Sequence, residues 1–298
     1  MERNAGGKHG GAEGLMKISV IGGDMRQISM ASAFRGEGHT VDTFALGGED
    51  GEAKSLGAAI EGADCVILPL PCETTSGTLN APLSEEKIYF DDLFKIIEEG
   101  TPVFAGKVGS AVKSAAEAHG VRLTDYAARE EFAVNNAVLT AEGAIEAILR
   151  ELPVSLCSLS CLVIGFGRIG KLMAHRLRAL SARVTVSARR EEHFAWARAF
   201  GYDVAETGSL ENLLGTYDLI VNTVPSLVLD KNRLSLLKKD CLCIDLASNP
   251  GGIDFSAAAE LGVKAIWELG LPGRCAPVSA GIVIKDTVCN VLKEWGIT

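Results

Sequence analysis

The chain has 298 residues, enough for two domains at about 150 residues each, and its 47% hydrophobic and 22% charged residues exclude general disorder. A net charge of −9, from 29 basic and 38 acidic residues, argues against nucleic acid as a partner, since Arg189-Arg190 and Lys238-Lys239 are only short basic clusters. The apolar runs Ala63–Cys72 and Ser160–Phe166 fall short of the roughly 20 residues of a membrane span, and no apolar signal core follows Met1, so a cytoplasmic protein is expected.

In chain order, residues 1–15 are Gly-rich, polar and aperiodic, which predicts a disordered leader. Lys17–Ile21 reads as a β-branched strand, followed by Gly22-Gly23-Asp24 and a helix from about Met25 to Arg35. A strand at Thr40–Phe44, a short helix near Ala53–Glu61 and an apolar strand at Asp64–Leu68 come next, the last stopped by Pro69-Leu-Pro71. A helix around Asp91–Glu99, a strand at Pro102–Ala105, a helix at Ser110–His119 and a strand near Val121–Leu123 complete the first half. Strands that are apolar throughout, alternating with helices of about ten residues, imply βαβ units and a parallel sheet covered on both faces. The first domain, 16–134, is therefore expected to be a doubly wound, flavodoxin-like α/β unit.

Asn135–Leu152 carries apolar residues at helical spacing, from Ala141 through Ile145 and Ile148 to Leu152, before Pro153. It predicts a connecting helix, followed over 153–276 by a second α/β domain of Rossmann type. The last helix, within 277–298, lines up Ile284, Val288, Val291, Leu292 and Trp295 and is expected to fold back on the first domain. The eight cysteines include no Cys-x-x-Cys, and several, such as Cys65, Cys161 and Cys243, lie inside apolar strands; in a cytosolic chain they read as small buried hydrophobes.

The strongest chemical signal is Gly165-Phe166-Gly167-Arg168-Ile169-Gly170, between an apolar strand and a helix. The first glycine permits the tight turn, the second lets a pyrophosphate approach the backbone, and the third lets helix pack on strand. Phosphates then sit where free N–H groups and the helix dipole favour anions. The next strand ends in Ser187-Ala188-Arg189-Arg190, where an NAD site would place a carboxylate. A hydroxyl and two guanidinium groups suit a 2′-phosphate, so NADP is favoured over NAD.

Other strand ends add Thr223, Val224 and Pro225, and Asp245 with Ala247, as cofactor contacts. In the first half, three loops converge on one sheet edge: Gly22-Gly23-Asp24 with Arg26, then Pro71, then Lys107 with Ser110 before a helix. Each taken alone reads equally well as turn glycines or a surface charge. The five histidines show no Ser/His/Asp order or metal-ligand spacing, so no metal is expected.

Several segments outside the nucleotide fingerprint are distinctive: Ile21–Gln27, Leu68–Pro71, Asn222–Pro225, Asp245–Gly252 and above all Leu269–Gly281. Through them the sequence resembles the dipicolinate synthase A-subunit family of spore-forming bacteria, from Met16 to the C-terminus. The resemblance implies NADP-dependent oxidation of dihydrodipicolinate, a lysine-pathway intermediate, to dipicolinate during sporulation, together with a flavoprotein-like B subunit. For a small dicarboxylate substrate, Arg26, Lys107, Arg274 and the backbone at Gly281 are candidate seats, beside Pro71 and Ser110. Asp24, Lys107 and Asp245 are candidate catalytic groups. Two alternatives stand: a nucleotide-binding regulatory or scaffold subunit whose partner does the chemistry, and a shikimate dehydrogenase-like enzyme, whose lysine/aspartate pair has no counterpart here. Homo-oligomer formation stays open.

Overall fold

The computed structural model describes residues 14–47 and 52–297; the expected disordered leader lies outside them for residues 1–13. The chain divides into two compact units, one reaching to Phe132 and taking in Gly281 onward, the other Ala133–Ala280. Both divides fall within a helix, Glu130–Glu151 and Pro277–Glu294. The first of these helices starts at Glu130, five residues before the expected Asn135. Glu130 and Glu131 occupy its first turn, where carboxylates complement the positive end of the helix dipole. By length and composition this helix would suffice to cross a membrane, and half of its most apolar stretch is buried in the fold, as in a core helix.

The first unit holds five parallel strands: β1 (Lys17–Ile21), β2 (Thr40–Phe44), β3 (Cys65–Ile67), β4 (Val103–Ala105) and β5 (Leu123–Asp125). Their order, β2-β1-β3-β4-β5, is the flavodoxin-like one expected. The register pairs Lys17 with Thr40 and Ile18 with Cys65. One sheet face packs with Phe34, Phe104 and Phe132, the other with Ile60, Leu93, Phe94 and Val112. Two apolar faces explain why β3 and β4 are apolar throughout.

Ile284, Val288, Val291 and Leu292, from helix Pro277–Glu294, share the core that holds Phe34. Gly281 permits their approach. A Cβ there would lie 2.4 Å from the Arg26 carbonyl oxygen and 2.9 Å from the Met30 nitrogen, so a larger residue would push this helix off Met25–Gly36.

The second unit holds β6 (Ser160–Ile164), β7 (Arg183–Ala188), β8 (Asp203–Glu206), β9 (Leu219–Asn222), β10 (Leu242–Asp245) and β11 (Lys264–Trp267). All pair in parallel, in the order β11-β10-β9-β6-β7-β8. This is the Rossmann order 3-2-1-4-5-6 read from the other edge. Its faces are covered by one core containing Met173, Leu177 and Ile148 and another containing Leu210, Leu214 and Leu234. The cysteine expectation needs correcting in part. Cys65, Cys72, Cys161, Cys241 and Cys243 are buried, but Cys157, in the loop before β6, and Cys275, at the end of helix Leu271–Cys275, are exposed.

Candidate functional site

In each unit the strand order reverses at one point, between β1 and β3 and between β6 and β9. Loops leaving the carboxyl ends there form the crevice where open α/β sheets bind ligands.

In the second unit that place is the turn Gly165–Gly170, and its three glycines separate by cause. Gly165 has φ +94°, and a Cβ on it would stand 2.4 Å from Thr223 Oγ1. Gly170 lies so close to the turn that a Cβ would come within 2.1 Å of the Gly165 carbonyl oxygen. A Cβ on Gly167, by contrast, would meet no atom within 4 Å. Gly167 is exposed and is the N-cap of helix Arg168–Ala179, which has no side-chain cap. Its first N–H groups therefore face open space with the dipole behind them. Thr223 braces the turn from β9, its N–H and Oγ1 each donating to the Ile164 carbonyl at 2.9 Å.

Around this turn the predicted contacts divide. Pro225 and Arg168 are exposed, whereas Ile169 and Val224 are half-buried, Val224 Cγ2 lying 2.9 Å from where a Cβ on Gly165 would stand. Phe166 contributes only backbone: its ring is buried against Tyr202 at 6.1 Å and Phe200 at 6.5 Å. Ser187 is corrected as a ribose-phosphate contact. It is buried, with its hydroxyl 2.7 Å from Thr207 Oγ1. Arg190 is committed to His193 Nε2 at 2.7 Å and Glu192 at 2.8 Å. Arg189 is exposed and holds no hydrogen bond or ion pair among the described residues.

Asp245 is corrected as a base. It is wholly buried and accepts from Asn222 Nδ2 at 2.7 Å, Ala247 N–H at 3.0 Å and Gly252 N–H at 2.6 Å. It thereby ties the ends of β9 and β10 to the loop that carries the cis Asn249–Pro250 bond. Ala247 is buried, and its carbonyl accepts from Trp267 Nε1 at 2.9 Å. Arg274 is corrected too: its guanidinium is paired with Glu268, which is only 6% exposed and which Arg150 also approaches, at 3.5 Å. It is not a free carboxylate seat.

In the first unit the three loops are knitted into one edge. Asp24 caps helix Met25–Gly36 in a capping box with Gln27, and Arg26 grips the same carboxylate through two bonds of 2.9 and 2.8 Å. Arg26 also donates to the Leu70 carbonyl, just before the cis Leu70–Pro71 bond. Pro71 itself is exposed, its carbonyl accepting from Asn80. Cys72 N–H donates to the Gly106 carbonyl at 2.8 Å, and Gly106 N–H to that of Pro69 at 3.0 Å. Asp125 accepts from the N–H groups of Lys107 at 3.0 Å and Val108 at 2.9 Å. These bonds hold Lys107 at φ +58°. Burial first, then Glu73 and Asp125, push the Cys72 thiol up to about 12, so it stays protonated rather than nucleophilic.

The substrate-side expectations change accordingly. Arg26 is committed to Asp24 and Leu70, and Gly281 serves helix packing. Asp24 is already held by its own cap and cation. Burial raises its carboxyl, but hydrogen bonds and charge from Arg26 outweigh that and hold it below the usual carboxylate range. A depressed folded value stabilises the fold above the ordinary Asp pKa of about 3.9 and ceases to do so as pH falls through the lower value. Asn keeps the cap and removes the charge. Asp24→Asn is thus expected to flatten the fall in melting temperature between about pH 4 and pH 2; parallel curves for the two proteins would contradict the assignment.

Lys107 and Ser110 remain. Both are exposed, and Ser110 opens helix Ser110–Ala118. Behind them Glu73 stands against Gly109, where a Cβ would lie 2.0 Å from its Oε1. Residues not singled out from sequence include Thr207, Asp125, Glu73 and Gly252. Asp125 carried a usable signal, as a polar residue closing a strand. Thr207 carried none, since only the fold brings it to Ser187.

Comparison with known proteins adds two family matches. Residues 17–127 match the N-terminal domain of the dipicolinate synthase A subunit, and residues 140–250 match the NAD-binding domain of D-isomer specific 2-hydroxyacid dehydrogenases. The dipicolinate synthase A subunit of Bacillus subtilis (strain 168) is 29% identical over 288 residues, 94% of this chain and 96% of that protein. The crystal structure of the Bacillus halodurans A subunit superposes with a TM-score of 0.86 at 26% identity, covering 94% of this chain and 99% of that one. The crystal structure of the Bacillus subtilis protein gives 0.84 at 29% identity, covering 94% and 96%.

Proposed function

We propose that this chain, 29% identical to a dipicolinate synthase A subunit and matching an NAD-binding domain of dehydrogenase type in its second unit, is an NADP-dependent oxidoreductase that converts dihydrodipicolinate to dipicolinate. It acts with a second subunit, in the cytoplasm, during sporulation. The observation that carries this reading is the open Gly167 face at the uncapped start of helix Arg168–Ala179, which fits a pyrophosphate and serves no packing purpose.

NADP, when bound, supplies the acceptor for the hydride that leaves the ring. The chain's own residues do the rest. Gly165 and Gly170 hold the turn, and Thr223 fixes it to β9. Arg189, exposed at the end of β7, pairs with the 2′-phosphate that distinguishes NADP from NAD. Lys107 and Ser110 offer an ammonium and a hydroxyl to a substrate carboxylate. The ring loses one hydride and one proton, and aromatisation drives the step.

The test of the cofactor assignment is Arg189→Ala. Charge-assisted bonds from one guanidinium are worth about 1.5–3 kcal/mol, so calorimetry should show NADP affinity reduced about 10- to 100-fold with NAD affinity unchanged. Equal effects on both dinucleotides, or none, would refute it.

One observation favours a second reading. Asp24 and Asp245 are both committed to internal donors, so neither is a free proton acceptor. The base then comes from the partner subunit or from solvent. NADP reduction by the purified chain with dihydrodipicolinate separates these: turnover without the partner supports solvent, turnover only with it supports a shared site.

A further inference from the structure

We propose that the second unit carries another small-molecule pocket, for planar aromatic carboxylates, on the exposed face of helix Arg168–Ala179. Met173, Ala174 and Leu177 face the core on one side of this helix. Lys171, Leu172, His175 and Arg178, spaced by one, three and three residues, line a pocket of about 560 Å³ on the other. That volume lies within the range of small-ligand sites. The pocket shares no lining residue with the turn Gly165–Gly170 or with Thr223–Pro225.

Its opposite wall is aromatic, made by Phe200 and Tyr202. Phe200 is half exposed and stacks on Trp196 at 5.5 Å, which is also half exposed. A stacked pair of large rings facing solvent marks a contact surface rather than a core. Three basic side chains line the same pocket. In a chain of net charge −9, Arg150, Arg176, Arg233 and Lys238 each hold a carboxylate. Lys171, His175 and Arg178 hold none among the described residues. Lys171 instead lies over the Phe166 ring at 5.8 Å, and Arg178 over Tyr202 at 5.4 Å while donating to the Phe200 carbonyl.

The wall and the cations together define the ligand class. Rings stack on rings, an arginine fork pairs with a carboxylate in its own plane, and Lys171 and His175 supply further donors along one edge. A phosphate would use the cations but leave the rings bare. An aliphatic acid would fill the space without stacking.

The test uses full-length protein and isophthalate, an aromatic dicarboxylate that no step of the proposed reaction can consume. Binding is read by tryptophan fluorescence and by calorimetry, with cyclohexane-1,3-dicarboxylate and inorganic phosphate as the other probes. Isophthalate is expected to bind about tenfold or more tightly than either, with or without NADP present. Lys171→Gln combined with His175→Ala should weaken it by at least about tenfold, leaving the melting temperature unchanged. Trp196→Phe should remove most of the fluorescence response while calorimetry still detects binding. No binding of isophthalate, equal binding of phosphate, or binding that survives the Lys171/His175 double variant would overturn the proposal. None of these outcomes depends on whether the chain oxidises dihydrodipicolinate.

Discussion

Gly167→Ala is expected to leave the melting temperature of the chain unchanged while weakening NADP binding by at least about tenfold, equivalent to roughly 1.4 kcal/mol. The expectation follows from what a methyl group would meet. At Gly167 it meets no atom within 4 Å, and φ of −78° suits alanine, so the fold has no objection to it. The only thing it can obstruct is a ligand drawn against the backbone. Gly170→Ala is the matched control. There the methyl would lie 2.1 Å from the Gly165 carbonyl oxygen, a backbone atom that cannot step aside, so strain of about 1–3 kcal/mol or more is expected. Melting curves and dinucleotide titrations on the two variants should therefore dissociate: affinity lost without stability at Gly167, stability lost first at Gly170. Parent-like NADP binding by Gly167→Ala would mean that the turn is a packing device and that the cofactor reading fails.

The second large effect concerns Asp245. Removing its carboxylate leaves Asn222 Nδ2 and the N–H groups of Ala247 and Gly252 without their acceptor, all in a wholly buried place. Each abandoned buried donor costs about 1–3 kcal/mol. Asp245→Ala is accordingly expected to destabilise the second unit by about 3–5 kcal/mol, which corresponds to a fall in its melting temperature on the order of 10 °C. Asp245→Asn should also destabilise, since one of its two side-chain termini becomes a donor facing donors. A catalytic base would behave differently, losing turnover in the Asn variant at parent stability. Differential scanning calorimetry beside NADP reduction distinguishes the two, and a parent-like melting temperature in Asp245→Ala would refute the positioning role.

The pattern of what the sequence showed and what it concealed has one physical origin. Apolar strands, helical spacing and the three glycines were legible because they express local requirements: period, turn geometry, close approach between neighbours. The roles of Gly165 and Gly170 could be stated before any fold was known, since a strand–turn–helix of that length admits few solutions. Charged residues were read less well. Arg26, Asp24 and Asp245 sit at strand ends or helix starts, the places where ligands bind, Arg274 lies in the last turn of helix Leu271–Cys275, and all four are engaged by the protein itself. Nothing in a local window distinguishes a carboxylate awaiting a proton from one capping a helix.

The amino-acid order by itself determined two doubly wound sheets and the place of the dinucleotide turn. Which polar groups remain available to a ligand was decided only by the tertiary structure. Hydrogen-bonding capacity is finite, and whether it is consumed depends on partners far along the chain: Leu70 for Arg26, Thr207 for Ser187, Asn222 and Gly252 for Asp245. Folding brings these together and leaves the side chains of Arg189 and Lys107 and the face of Gly167 open, because no side-chain partner among the described residues reaches them.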